Sequence, residues 1–238
     1  MEQQIQIYKS EQRGYVESDI FRRFCIFNFD DYRAISRNGF GSLQAVNDET
    51  LAAGNKIIRH IDANTDILFL PLVGGIAYKD SLGNHDIIGT GQLRVFSATK
   101  GMSYEIINLY EEELVNYLQI WLRPNKPFSA SQSNQKDFNL KRNALVPLFE
   151  GYISDDAFLK TNTGALGFIG IFDGRQQGGY TLKKTENGLF VFVIHGAFEF
   201  EDRLIENRDG LSLAGVSEVT FEALSENAIV LILEVPLR

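Results

Sequence analysis

The feature that most constrains this chain is its rhythm: short apolar runs broken by Gly, Asn and Asp about every 8–12 positions. Residues 66–109, "DILFLPLVGGIAYKDSLGNHDIIGTGQLRVFSATKGMSYEIINL", read as strand, Gly-Gly break, strand, "SLGN" turn, strand, "GTG" turn and strand. Runs this short cannot be amphipathic helices. So dense a series of turns predicts a β-sandwich or β-barrel rather than alternating helices and strands. Eighteen Phe and nine Tyr against two Met and one Trp suit the pleated surface of strands.

The texture changes at residues 123–143, "RPNKPFSASQSNQKDFNLKRN", which hold two of the five prolines and little apolar content. Such a stretch reads as a connection. A second β series follows it: "LGFIGIFD", "GGYTLKK", "GLFVFVIHGAFEFED", "LSLAG", "VTFEAL" and "AIVLILEVP". The second half repeats the first in kind, so the expectation is two β domains, residues 1–125 and 149–238, joined by 126–148. In "VFVIHGAFEFEDRLIENRDGLSLAG" a hairpin turning at Gly196, then an Asp-Gly turn, predicts the second half of a small antiparallel jelly roll.

Charge and composition exclude several classes. The net charge of −8 offers no basic face for a phosphate backbone, so direct nucleic-acid binding is not expected. Cys25 is the sole cysteine; no intrachain disulfide can form, and it reads as a small buried hydrophobe. The polar start "MEQQIQIYKSEQRG" is unlike a signal peptide, and no apolar run approaches membrane-spanning length; the expected location is the cytoplasm. Nucleotide-binding glycine loops are absent, and His85 and His195 read as turn residues.

One stretch invites a chemical reading. In "IIRHIDANTDILF" (57–69), His60 and Asp62 lie two apart, and in extended chain such residues face the same side.

The first half resembles pirin and the pirin-like bicupins, among them the bacterial quercetinase-type proteins. The resemblance rests on "FNFDDY" (27–32), "GFGSLQAVNDETLAAGN" (39–55), "DILFLPLVGGIAYKDSLGN" (66–84), "SATKGMSYEIIN" (97–108) and "LQIWLRPN" (118–125). The second half matches more loosely, through "GLFVFVIHGAFEF" and the terminal "AIVLILEVP". The resemblance implies an all-β bicupin: two facing barrels, with a metal, typically iron, held in the first by three histidines and a glutamate. Carried over by position, His60 matches the first histidine, Asp62 stands at the second, Tyr104 at the third, and Ile106 replaces the glutamate. A catalytic site ordinarily keeps at least three sound protein ligands.

The expectation is therefore a degenerate metal site, with His60, Asp62, Tyr104 and Ile106 lining a ligand pocket. The chain would then be a monomeric binding module without a cofactor, taking a small molecule in the N-terminal barrel or a protein partner. The alternative is a dioxygenase acting on a flavonol-like aromatic substrate, with iron or another divalent transition metal on His60, Asp62 and Tyr104. A metal-free enzyme using Asp62 or Glu105 as base has no positive feature behind it.

Overall fold

In the computed structural model, which describes residues 3–151 and 159–237, the apolar runs are explained by burial on both faces. Along the strand Thr65–Val73, Ile67 and Phe69 enter one apolar cluster while Leu68 and Leu70 enter another. The strand Asn187–His195 divides likewise, with Leu189, Val191 and Val193 on one side and Phe190, Phe192 and Ile194 on the other. Side chains alternate across a strand, so a run buried on both sides shows no polar alternation.

Each half pairs a seven-stranded sheet with a four-stranded one. In the N-terminal half the large sheet runs, in spatial order, Gln132–Asp137, Gln92–Ala98, Thr65–Val73, Val115–Leu122, Leu43–Leu51, Phe21–Cys25, Gly14–Ser18. The small sheet runs Lys56–His60, Ser103–Ile107, Ile76–Asp80, His85–Ile88. The C-terminal large sheet runs Gln4–Tyr8, Gly210–Ala214, Asn187–His195, Ala228–Pro236, Leu166–Phe172, Ala144–Gly151, Leu159–Thr161. Its small sheet runs Gln177–Thr181, Glu218–Ala223, Phe198–Phe200, Arg203–Ile205. The chain is thus all-β, two jelly-roll barrels of matching strand order whose large sheets share one core. Among the described residues the helical content is one 3₁₀ turn, Ser10–Gln12, and no helix is long and apolar enough to cross a membrane.

Strand pairing departs from the sequence reading at three places. The strand Gln4–Tyr8 adds to the C-terminal sheet beside Gly210–Ala214, although it precedes the first barrel in the chain. Within 126–148, Gln132–Asp137 pairs with Gln92–Ala98 of the first barrel, and Ala144–Gly151 opens the second. The turn at Gly196 also does not close a hairpin. Phe198–Phe200 pairs with Arg203–Ile205 and Glu218–Ala223 in the opposite sheet, while Asn187–His195 pairs with Gly210–Ala214 and Ala228–Pro236. Gly74 makes the same crossing in the first barrel; both glycines have φ near the left-handed region (+71° and +80°), which a side chain resists. Both crossings look local in sequence, but sheet membership is set by distant partners.

Polar contacts tie the halves together. Buried Asp66 accepts hydrogen bonds from Ser97 Oγ (2.5 Å) and from Asn162 N (2.5 Å) and Nδ2 (2.9 Å) across the interface. Burial pushes its carboxyl up, and these donors pull it back. Asp48 pairs with Arg13 (3.1 Å) and with Arg208 of the second half (3.4 Å).

Candidate functional site at the mouth of the first barrel

The strand Lys56–His60 decides which of its residues reach the interior. Lys56, Ile58 and His60 are exposed, whereas Ile57 and Arg59 turn inward and Ile61 is buried. Arg59, not His60, therefore projects into the barrel, with only a tenth of its side chain exposed.

At the barrel mouth four charged side chains close on one another, with Glu49 and Arg23 buried, Arg59 nearly so and Asp30 43% exposed. Glu49 is fully buried; its Oε1 accepts from Arg23 Nε (2.7 Å) and its Oε2 from the Tyr117 hydroxyl (2.6 Å). Arg59 Nη2 lies 3.8 Å from the same carboxylate. Asp30 accepts from Arg23 Nη1 (2.8 Å) and from Arg59 Nη1. Both guanidiniums also stack near the Phe29 ring, 4.8 and 5.1 Å from its centroid. Burial drives the Glu49 carboxyl above its ordinary value, while Arg23 and Tyr117 oppose that drift. Two cations and two anions make a neutral quartet, the form in which buried charge is tolerated.

Tyr104 and Ile106 lie behind this quartet, each 1% exposed, in the apolar core. Tyr104 packs edge-on against Phe69 and Phe96, with centroids at 5.2 and 6.2 Å. Among the described residues its hydroxyl has no hydrogen-bond partner, and burial, followed by the nearby Glu49 charge, holds its pKa well above the ordinary value. His60 and Asp62 sit outside, together on the rim of an open cavity of about 330 Å³. Phe29, Trp121, Arg33 and Arg123 also line it, and neither Tyr104 nor Ile106 does. The four positions are thus split: two on the cavity rim and two in the core. Glu105 faces outward and pairs with Lys56 at 3.0 Å.

This donor set does not fit a metal. Ile106 offers no donor atom, Tyr104 lies in the apolar core away from the cavity that His60 and Asp62 line, and those two rim residues are too few alone. Among the described residues, no group of three or more His, Cys, Asp and Glu side chains is placed to hold an ion. Arg23 and Arg59 would repel one as well.

The sequence reading passed over Arg23, Glu49, Arg59, Arg33 and Arg123. A signal existed for Glu49, a charge within the buried strand Leu43–Leu51, and for Arg59, which alternation turns inward once His60 faces out. Elsewhere, Cys25 is buried with its thiol pushed up to about 12, chiefly by burial, and His85 and His195 are exposed.

Comparison with known proteins agrees with this architecture. Residues 8–122 match the family model described as Pirin, and residues 152–235 match that of the quercetinase C-terminal cupin domain. A pirin-like protein of Caulobacter vibrioides is 26% identical over 87% of this chain and 89% of its own length. The quercetin 2,3-dioxygenase of Escherichia coli K12 is 26% identical over 57% of this chain and 58% of its own length. The crystal structure of the bacterial pirin YhhW from Escherichia coli in complex with nickel(II) superposes with a TM-score of 0.88. It covers 98% of this chain and 99% of its own at 20% identity, a likeness that speaks to the fold. With both family models matched in order along one chain, this protein belongs to the pirin-like bicupin family.

Proposed function

We propose that the protein binds a small molecule at the mouth of its first barrel and that this binding needs no metal. One observation carries the reading: a cavity of about 330 Å³, within the usual size of ligand pockets, lies against a barrel interior already neutralised by its own arginines. A barrel that must coordinate an ion keeps donors free for it; here Glu49 and Asp30 are both engaged by guanidinium.

The test is a thermal-stabilisation screen of small molecules on protein kept in chelator. A ligand at about 100 times its Kd adds about 2.7 kcal/mol, enough to shift the melting temperature of a chain this size by several degrees. Hits should persist in chelator and vanish in Ala63→Trp, which fills the cavity. Hits that appear only with added metal would overturn the reading.

The second reading, a dioxygenase, draws on the relatives named as quercetin dioxygenases. By the resemblance, Ile106 replaces the glutamate ligand, so flavonol turnover with added iron, copper, manganese, nickel or cobalt is expected to be nil.

A further inference from the structure

Taking the cavity to be a small-molecule cup, as proposed above, we infer the class of its ligand: an aromatic monocarboxylate. Arg23 and Arg59 are each held by Glu49 and Asp30. Among the described residues Arg22, Arg33, Arg37, Arg123 and Arg203 have no carboxylate at ion-pair distance, and of these Arg33 and Arg123 line the cavity. Both are exposed on the cavity wall. Arg33 donates through Nη1 to the Tyr32 carbonyl (2.9 Å), which leaves its charge uncompensated.

The other rim groups set the size of the charge to be met. Asp30 is spent on the quartet, which is neutral as a whole. Asp62 is the remaining carboxylate of the wall. Two arginines against one aspartate leave one net positive charge, which a single carboxylate balances. The planar fork of a guanidinium suits a carboxylate better than it suits a spherical anion.

The remaining wall calls for a ring. Phe29 and Trp121 meet edge to face, centroids 5.0 Å apart at 84°, and both line the cavity. The Trp121 indole nitrogen is already used, donating to Gln119 at 2.7 Å, so this residue offers the ligand aromatic surface rather than a hydrogen bond. The Asn28 amide is likewise spent on Ala34 and Asn38, and Gln44 Nε2 donates to the Gly41 carbonyl. The cavity wall thus offers two guanidiniums and the Trp121 ring, beside His60 and Asp62. A volume near the lower end of ligand pockets admits one or two fused rings.

The experiment is calorimetric titration of the full chain, in chelator, with 2-naphthoate and with its neutral isostere 2-naphthamide. Naphthoate should bind saturably, and naphthamide at least tenfold more weakly. Arg33→Gln and Arg123→Gln should each weaken naphthoate roughly tenfold, the size of a charge-assisted contact. Arg175→Gln, an exposed arginine on the second barrel, should leave it unchanged. Asp62→Asn should tighten it. Trp121, the sole tryptophan, provides an independent fluorescence readout of the same site. Equal affinity for the two probes, unmoved by the arginine variants, would overturn the charge assignment while the cup itself stands. Binding of neither probe would also overturn the class, and the cup would then be decided by the stabilisation screen.

Discussion

The two barrels share a strand order but not an interior. Each strand from Thr65–Val73 to Val115–Leu122 has a counterpart between Asn187–His195 and Ala228–Pro236, in the same sheet positions. In the second barrel the interior is closed by aromatic rings. Phe172, Phe198, Phe200 and Phe221 pack with centroids 4.9–6.0 Å apart. One buried carboxylate there, Glu234, is saturated by neutral donors: the Tyr180 hydroxyl, the backbone of Lys183 and Lys184, and Asn187 Nδ2, at 2.7–3.0 Å. That carboxylate pins a turn. In the first barrel the buried carboxylate next to the cavity is Glu49, and its partners are cations and a tyrosine. The fold supplies a cup in both places; the residues lining it decide which cup is usable.

The largest expected effect follows from stranding the charges of the first barrel. Glu49→Ala leaves Arg23 and Arg59 with a single shared anion, and urea unfolding should show a loss of about 3–5 kcal/mol. Glu234→Ala strands only neutral donors and should cost less, about 1–3 kcal/mol; equal costs would erase the distinction between the two carboxylates.

A pH series sharpens the same contrast. Burial raises the Tyr78, Tyr104 and Tyr117 phenols of the first barrel above their ordinary value of 10.0. It also raises the Cys25 thiol from 9.0 to about 12. These groups hold their protons more tightly folded than unfolded. Their contribution is therefore fully present below the ordinary values and declines as pH rises past about 9 to 10. Phenolate absorbance from the three tyrosines should accordingly appear together with unfolding; a smooth, early titration would mean that the interior is wet. Cys25 should resist iodoacetamide at pH 8 until the protein is denatured.

The smallest effect belongs to the rim. Arg33→Gln and Arg123→Gln should alter stability by no more than about 0.5 kcal/mol, since both are exposed and make no ion pair among the described residues. A larger loss would make them structural.

Much of the fold was legible in the sequence because burial on two faces leaves a readable mark. "DILFLPLV" and "GLFVFVI" are continuous apolar runs, and each became a central strand of a large sheet. What sequence could not show was partnership. Gln4–Tyr8, expected in the first domain by its place in the chain, pairs with residues 210–214; no local property of "QIQIY" announces that. The site divides along the same line. His60 and Asp62 do share a cavity, although Asp62 lies in the bend beyond the strand Lys56–His60 and not in extended chain. Tyr104 and Ile106 reach the interior but not that cavity, and Arg59 occupies the direction assigned to its neighbour. A carry-over by position names the residues at a site without telling which way each one points.

The central claim, that the arginine–carboxylate quartet leaves the first barrel independent of a metal, is tested most directly by elemental analysis. Untagged protein would be purified without chelators and metal reported as atoms per chain. The account predicts far less than one equivalent of any transition metal, and a melting temperature unchanged by chelator. Near-stoichiometric iron, nickel or zinc that disappears in His60→Ala would contradict it.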